Sequence, residues 1–316
     1  MKIVYVDEPT YLPDSFVRRM EERGEFEVYY DRPDEETAVR RLSGADLAIV
    51  EWTPITARML KRISRLRYIA LVMTAYDLVD CEAAGAAGIP VSNCPAYSAE
   101  SVAEHVFALL LAVNRRLGEA DAAVRRGESH LYGPFLGCQL AGKTFGVIGT
   151  GRIGQAAAKI AAGFGMKVIG TNRSGRSLPG IERVELPALM KESDIVTLHA
   201  PSNRETKGLL SKKLLALMKP SAFFVNTSRA GLVDENELYA LLRDRRIAGA
   251  GLDDVSTVRD NPLYALDNVV LTPGTAWYTD TARDANLEEL IANIDSFLNG
   301  AERNIVNREF LNASKP

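Results

Sequence analysis

Residues 146–174 read GVIGTGRIGQAAAKIAAGFGMKVIGTNRS, and this stretch decides the fold. A strand-like run leads into glycines 149, 151 and 154, whose G-x-G-x-x-G spacing opens an alanine-rich helix. The first glycine permits a tight turn, the second lets the backbone approach a pyrophosphate, and the third lets helix and strand pack closely. The helix start adds a positive field. Rather than a turn without a ligand, we predict a dinucleotide site formed by Gly149, Thr150, Gly151, Arg152, Ile153 and Gly154.

The end of the next strand indicates which dinucleotide is bound. Asn172 follows Gly154 by 18 residues (172 − 154 = 18), close to the spacing of about 20 at which an acidic residue holds the ribose of NAD. The triplet here is Asn172, Arg173 and Ser174, which has no carboxylate to repel a 2′-phosphate. A guanidinium and a hydroxyl can bind that phosphate. NADP(H) is therefore favoured, with NAD(H) possible; the alternative is that Arg173 is only a solvated surface charge.

Outside this stretch, short apolar runs alternate with segments of helical length. KIVYV, FEVYY, LAIVE, YIALVM and IPVSN form one series, and a second series runs from KTFGVIG to VVLTPG, with a final helix at about 283–299. Strict alternation of strand and helix is typical of parallel sheets covered by helices. With 316 residues, the chain exceeds the roughly 250 to 300 residues at which single cores stop growing. We expect an α/β fold with two doubly wound domains.

Composition excludes several classes of partner. The 38 Lys and Arg residues against 41 Asp and Glu give a net charge of −3 and no basic stripe for nucleic acid. Three cysteines without a CxxC pair indicate neither a disulfide framework nor a metal site, and they fit a reducing compartment. The longest apolar run, VFALLLAV, is far shorter than the roughly 20 residues that span a bilayer. We expect a cytoplasmic protein that binds neither nucleic acid nor membrane.

Six ordered motifs carry a family resemblance. SVAEHVFALLLA, GKTFGVIGTGRIG, DIVTLHAP, NTSRAGLVDENEL, GAGLDD and LTPGTAWYT resemble the D-isomer-specific 2-hydroxyacid dehydrogenases, in particular glyoxylate and hydroxypyruvate reductases. The resemblance implies a Rossmann-type cofactor domain at 99–286, inserted in a flavodoxin-like substrate domain at 1–98 and 287–316. It also implies an NAD(P)-dependent oxidoreductase that transfers hydride to or from a small 2-oxo acid, 2-hydroxy acid or related carboxylate.

The resemblance also implies roles for single residues. Arg229 matches the catalytic arginine that binds the substrate carboxylate and keto oxygen, and a planar fork of donors suits that task. Asp253 matches an acid on the nicotinamide side, and Gly274 is expected beside the cofactor. Backbone amides in the loop of Met73, Thr74 and Ala75 would hold the substrate carboxylate, although Ala75 replaces a common glycine. The other expected cofactor-lining residues are Ala200, Pro201, Thr206, Thr227 and Ser228.

Two departures fall on the catalytic pair of the family. Relatives place a proton-donating histidine in TPH, where this chain has Gly274, and a glutamate five residues after the aspartate, where it has Val258. Both halves of the device that sets the tautomer and pKa of the histidine are thus replaced. We expect atypical proton handling. His105 and His199 match structural positions, whereas His130 lies in a segment that reaches across a dimer in several relatives, with Tyr132 nearby.

Two further expectations concern partners. The apolar segment Val102–Val113 and the loop at 127–139 predict a homodimer formed through the cofactor domains. The AWY of LTPGTAWYT is similar to the C-terminal binding protein corepressors, which couple dinucleotide binding to recruitment of partners. A catalytically altered regulatory protein is therefore the alternative to an enzyme.

Overall fold

The computed structural model describes residues 1–128, 130–255 and 260–312. Its strands are β1 Lys2–Tyr5, β2 Glu25–Val28, β3 Leu47–Val50, β4 Tyr68–Leu71, β5 Val91–Ser92, β6 Thr144–Ile148, β7 Lys167–Thr171, β8 Glu182–Arg183, β9 Ile195–Leu198, β10 Phe223–Asn226, β11 Gly249–Leu252 and β12 Val269–Leu271. Its α-helices are α1 Asp14–Glu21, α2 Glu35–Leu42, α3 Ala57–Leu60, α4 Cys81–Ala86, α5 Ala99–Arg115, α6 Leu117–Arg125, α7 Arg152–Gly163, α8 Leu186–Glu192, α9 Lys212–Leu215, α10 Glu235–Arg243, α11 Asp280–Leu298 and α12 Arg308–Asn312. Across these described helices, none is both long enough and apolar enough to span a bilayer.

The chain divides into two compact units. Unit 1 comprises Met1–Tyr97 and Thr279–Pro316, and unit 2 comprises Ser98–Tyr278. The sequence places the return to the first unit at residue 287, which lies inside α11. The chain instead returns to unit 1 at Thr279, directly before the first residue of α11. The Thr279 hydroxyl accepts a hydrogen bond from the Ala282 amide at 3.2 Å and caps the helix.

Unit 1 is a parallel sheet with strand order β2-β1-β3-β4-β5. Apolar clusters cover both of its faces, and β3 and β4 are therefore buried along their whole length. The chain after residue 279 completes one face: Phe297 of α11 stacks on Tyr68 at 4.2 Å. The buried Asn307 side chain accepts from the Val91 amide and donates to the Ile89 carbonyl, both at 2.9 Å.

Unit 2 is a seven-stranded parallel sheet with order β12-β11-β10-β9-β6-β7-β8. The order reverses at β6, which is the first strand of this unit, and apolar clusters again cover both faces. This is the doubly wound Rossmann pattern, in which ligands bind beyond the carboxyl ends of the strands. The predicted fold class, two doubly wound α/β domains with parallel sheets, is confirmed.

One basis for the predicted homodimer is wrong. Val102–Val113 lies in α5, and its apolar side chains, among them Val106, Phe107 and Leu110, are buried in the core of unit 2. The helix covers the strands of its own sheet, so this segment is not an exposed apolar face. The loop at 127–139 differs, because Tyr132 is 80% exposed and Leu136 is 90% exposed.

Candidate active site

The glycine turn after β6 forms a backbone cradle. Gly149 has φ +91°, and a Cβ there would lie 2.5 Å from the His199 carbonyl oxygen. A Cβ on Gly154 would lie 2.1 Å from the Gly149 carbonyl oxygen, whereas one on Gly151 would have no atom within 4 Å. The outer two glycines therefore close the turn, and the middle one leaves open space at the start of α7. This geometry fits a pyrophosphate at a helix N-terminus.

Hydrogen bonds of Asn172 organise the loop after β7. Its Nδ2 donates to Thr150 Oγ1 and to the Arg176 carbonyl, both at 2.8 Å. Its Oδ1 accepts from Ser174 Oγ at 2.9 Å and from the Arg176 amide at 3.0 Å. Asn172 thus takes a structural part in holding the loop, and neighbouring Arg173 and Ser174 remain partly exposed to solvent.

Arg173 makes an ion pair that the sequence did not predict. Its Nη1 donates to Glu205 Oε2 at 2.5 Å, and both side chains are largely exposed. Glu205 lies in the tight turn after Pro201, where Asn203 Oδ1 accepts from the amides of Glu205 and Thr206. A carboxylate therefore stands beside the guanidinium that was expected to receive a 2′-phosphate.

Two buried polar atoms in the segments directly after β9 and β10 have no partner among the described residues. They are Nδ1 of His199 and Oγ1 of Thr227. The other ring nitrogen of His199 lies 2.9 Å from Thr197 Oγ1, and burial lowers the pKa of His199 to about 4, so the ring is neutral at ordinary pH. A buried polar group without a partner is costly, and ligand atoms can supply the missing hydrogen bonds.

Arg229 follows β10 on a loop that is held from two directions. The Asn226 side chain accepts from the Ser228 amide at 2.9 Å and donates to the Arg229 carbonyl at 3.1 Å. The Ala230 amide donates to Asp254 Oδ2 at 2.8 Å. Burial raises the pKa of Asp254, while the Ala230 amide and the Arg229 charge act against that shift. The guanidinium of Arg229 also donates to the Ser228 carbonyl at 3.1 Å.

Asp253, at the end of β11, organises the loop after β12. Its Oδ1 accepts from Thr272 Oγ1 at 2.6 Å and from the Thr275 amide at 2.9 Å, and its Oδ2 accepts from the Ala276 amide at 2.9 Å. Its carbonyl accepts from the Gly274 amide at 2.7 Å. Asp253 is 4% exposed. One residue thus fixes the loop from 272 to 276 and places a carboxylate beside it.

Gly274 is required by this loop for its backbone conformation. Its φ is +75°, in the left-handed region where residues with a Cβ are strained. Space is available, because among the described residues other than its chain neighbours the only atom within 4 Å of an added Cβ is the Asp253 carbonyl oxygen at 3.9 Å. Gly274 therefore suits this turn through its backbone conformation as well as through its lack of a side chain.

The predicted substrate loop lies in unit 1, after β4. The Met73 carbonyl accepts from the Cys94 amide at 3.0 Å, and Thr74 Oγ1 donates to the Cys94 carbonyl at 2.9 Å. Asn93 Nδ2 donates to the Thr74 carbonyl at 2.6 Å. These bonds fix the turn that contains Ala75 at the carboxyl edge of the sheet.

Two predicted features lie elsewhere. His130 is exposed, with φ +60°, in the same loop as Tyr132. Position 258, where a valine was expected in place of a glutamate of the family, lies outside the described residues.

His105 lies close to Asp253, a link that was not predicted from the sequence. His105 Nε2 lies 3.0 Å from Thr272 Oγ1 and 3.6 Å from Asp253 Oδ1. The position of Thr272 directly after a strand could have marked it as a residue of the site. Its partner on α5 could not be read from local sequence, because 167 residues separate the two.

Comparison with known proteins agrees with this geometry. The model of the family "D-isomer specific 2-hydroxyacid dehydrogenase, NAD binding domain" matches residues 107–276. A glyoxylate reductase from Thermococcus litoralis is 38% identical over 96% of this chain and 97% of its own length. A hydroxypyruvate reductase from Blautia hydrogenotrophica is 34% identical over 98% of this chain and 100% of its own.

Among solved structures, an acyclic imino acid reductase in complex with NADPH and D-Arg superposes with a TM-score of 0.95. It is 52% identical and covers 97% of this chain and 100% of its own. All three of these proteins are named as reductases. The chain belongs to the D-isomer-specific 2-hydroxyacid dehydrogenase family of oxidoreductases.

Proposed function

We propose that this protein is an NADPH-dependent reductase of acyclic 2-imino acids, which it converts to 2-amino acids. The observation that carries the proposal is the left-handed glycine turn at Gly274, folded around the buried carboxylate of Asp253. The family places a cationic acid at this position. In this chain the carboxylate of Asp253 lies beside a glycine instead.

Proton balance explains why an imine suits such a site. Reduction of a ketone forms an alkoxide that needs a proton, and a positioned acid then contributes roughly a hundred- to ten-thousand-fold. An iminium ion, C=NH₂⁺, already carries its proton. When hydride adds to the carbon, the C=N π electrons become the nitrogen lone pair and a neutral amine results. No acid has to donate in that step.

Charge favours the same substrate. Asp253 is buried, and both of its carboxylate oxygens accept hydrogen bonds. A buried anion attracts an iminium cation, whereas an imidazolium at position 274 would repel it. Arg229 binds the substrate carboxylate through its planar fork of donors, and its loop is held in place by Asn226 and Asp254.

The residues around the glycine cradle fit the cofactor. Backbone amides at the start of α7 would hold the pyrophosphate, and the partnerless Thr227 Oγ1 and His199 Nδ1 could bond to it or to the adjoining ribose. Arg173 and Ser174 would take the 2′-phosphate, with Arg173 leaving Glu205 to do so. When bound, NADPH supplies the hydride.

The acyclic imino acid reductase in complex with NADPH and D-Arg supports both parts of the proposal, since it is 52% identical over nearly the whole chain. The regulatory alternative gains no support, because the relatives are named as reductases. We expect the amino acid product to have the D configuration.

The test supplies imines formed in solution from a 2-oxo acid and an amine. NADPH oxidation is followed with pyruvate plus ammonium or methylamine, and the amino acid product is separated on a chiral column. Trimethylamine is the matched control, because it cannot form an imine. We expect consumption that depends on ammonium or methylamine. Reduction of glyoxylate without amine at about 10 s⁻¹, the rate of a median enzyme, would instead identify an ordinary 2-oxo acid reductase.

We also propose that the protein is a homodimer. The support is the segment 130–139, in which the large side chains of Leu131, Tyr132 and Leu136 are exposed to solvent in the single chain. Light scattering should give about twice the chain mass of 34.6 kDa. A monomer at micromolar concentration would remove this proposal and any role of His130 in a partner's site.

A further inference from the structure

The structure assigns to His105 the role of a positioning residue, which acts on Asp253 through the hydroxyl of Thr272. Its ring nitrogen Nε2 lies 3.0 Å from Thr272 Oγ1, and that oxygen lies 2.6 Å from Asp253 Oδ1. The three groups come from α5, the end of β12 and the end of β11, so the fold of unit 2 brings them together.

The direction of the two hydrogen bonds follows from counting protons. An ionised carboxylate only accepts, and a threonine hydroxyl has one hydrogen to donate. Because Thr272 donates to Asp253, its oxygen must accept from His105. His105 therefore carries a proton on Nε2 and is the donor to Thr272.

The two consecutive hydrogen bonds, from His105 to Thr272 and from Thr272 to Asp253, have two consequences for the site. Donation by His105 polarises the Thr272 hydroxyl and strengthens its bond to the carboxylate. It also fixes the oxygen Oδ1 that holds the Thr275 amide, so the turn around Gly274 is positioned from α5. That the carboxylate so positioned acts on a substrate iminium rests on the proposed function.

His105 also lies close to the carboxylate itself. Nε2 lies 3.6 Å from Asp253 Oδ1, too far for a direct hydrogen bond but close enough for a strong charge interaction. The side chain of His105 is 22% exposed, so it lies at the margin of this buried group.

A double-mutant cycle tests whether His105 acts through Thr272. Val is nearly isosteric with Thr but lacks the hydroxyl, and we expect Thr272→Val to lower kcat for the imine roughly 10- to 100-fold, as for a lost bond to a charged group. His105→Phe should lower kcat by about 3- to 10-fold. In the Thr272→Val background, His105→Phe should add less than about twofold.

Conservative variants separate positioning from a structural role. Thr272→Ser keeps the hydroxyl and His105→Gln keeps an N–H donor of similar reach, so both should retain most of kcat. The dissociation constant of NADPH should stay within about twofold in all variants. Glu104→Gln, on the exposed side of α5, is the control and should match the unmodified protein. If His105→Gln is as damaging as His105→Phe, or if the two losses simply multiply, the inference is wrong.

A spectroscopic measurement keeps this test independent of the substrate. Nitrogen-15 NMR of histidine side chains distinguishes the tautomers, and with three histidines in the chain the His105→Gln spectrum assigns the signal. We expect the Nε2–H tautomer. The Nδ1–H tautomer would overturn the inference even if imine reduction is found. If no imine is reduced, the proposed function fails, and the tautomer still decides how His105 is bonded.

Discussion

Substitution of Gly274 separates the backbone role of this residue from its chemical role. Within the part of the chain that the structure describes, an added Cβ meets no atom of a non-neighbouring residue closer than 3.9 Å, so Gly274→Ala introduces no clash there. It does force a residue with a Cβ into φ +75°, which costs about 1 to 2 kcal/mol of unfolding free energy. For a unit of the size of Ser98–Tyr278, that corresponds to a fall in Tm of roughly 2 to 8 °C. Thermal unfolding followed by circular dichroism measures it.

Gly274→His adds a charge at the same backbone cost. At about 6 Å and an effective dielectric of about 20, unit charges interact by about 3 kcal/mol. Part of this is lost to solvent screening, so we expect imine reduction to fall roughly 10- to 100-fold below that of Gly274→Ala. Reduction of 2-oxo acids should rise little unless Val258→Glu supplies the orienting carboxylate as well.

Two results would refute this reasoning. An unchanged Tm for Gly274→Ala would show that the turn tolerates a Cβ and that glycine is not needed for the backbone. Equal imine reduction by Gly274→His and Gly274→Ala would show that positive charge at this position does not matter. The control for both is Gly44→Ala, since this unit 1 residue has no atom within 4 Å of an added Cβ and a φ outside the positive range.

Three other residues give separate predictions. Arg173→Ala should weaken NADPH binding roughly tenfold in a fluorescence titration and leave NADH binding unchanged. Glu205→Gln should tighten NADPH binding by up to about fivefold, because it frees the Arg173 guanidinium. Equal affinity of the unmodified protein for NADPH and NADH would contradict a role of Arg173 in binding the 2′-phosphate. Arg229→Lys should lower kcat/KM for imines about a hundredfold with an unchanged Tm, and loss of folding would point to a structural arginine instead. The pKa of His199 is lowered to about 4, so its stabilising effect is complete above the unfolded value of about 6.5 and is lost as pH falls toward 4. The free energy of unfolding in urea should be lower at pH about 4.5 than at pH about 7 by up to about 3 kcal/mol, and His199→Gln should reduce this difference.

The strands and the glycine turn could be predicted because their signals are local. β9 and β10 are buried on both faces, and such strands are continuous apolar runs in the sequence. The turn at 149–154 depends on residues within six positions of one another. The parallel order then brings the ends of β10, β11 and β12 side by side, which places Arg229 and Asp253 at one edge of the sheet.

The remaining features depend on packing between distant segments. Val102–Val113 is apolar because α5 covers its own sheet, and apolar sequence alone cannot distinguish that surface from an interface with a partner. The ion pair of Arg173 with Glu205 joins two loops 32 residues apart. The left-handed conformation of Gly274 results from hydrogen bonds to Asp253, which no pattern of nearby residues records.

Unit 1 is built from both ends of the chain, and this affects the order in which the protein can fold during its synthesis. The 19 residues of α11 and the Asn307 bonds to β5 come after the whole of unit 2. At about 5 to 20 residues per second, a ribosome needs roughly 10 to 35 s to add the residues between Tyr97 and Thr279. During that time Tyr68 lacks its stacking partner Phe297, and the face of β4 that α11 covers is open to water. Unit 2 has no such delay, so the nascent chain completes its central part first and holds its N-terminal part unfinished until the last helix emerges.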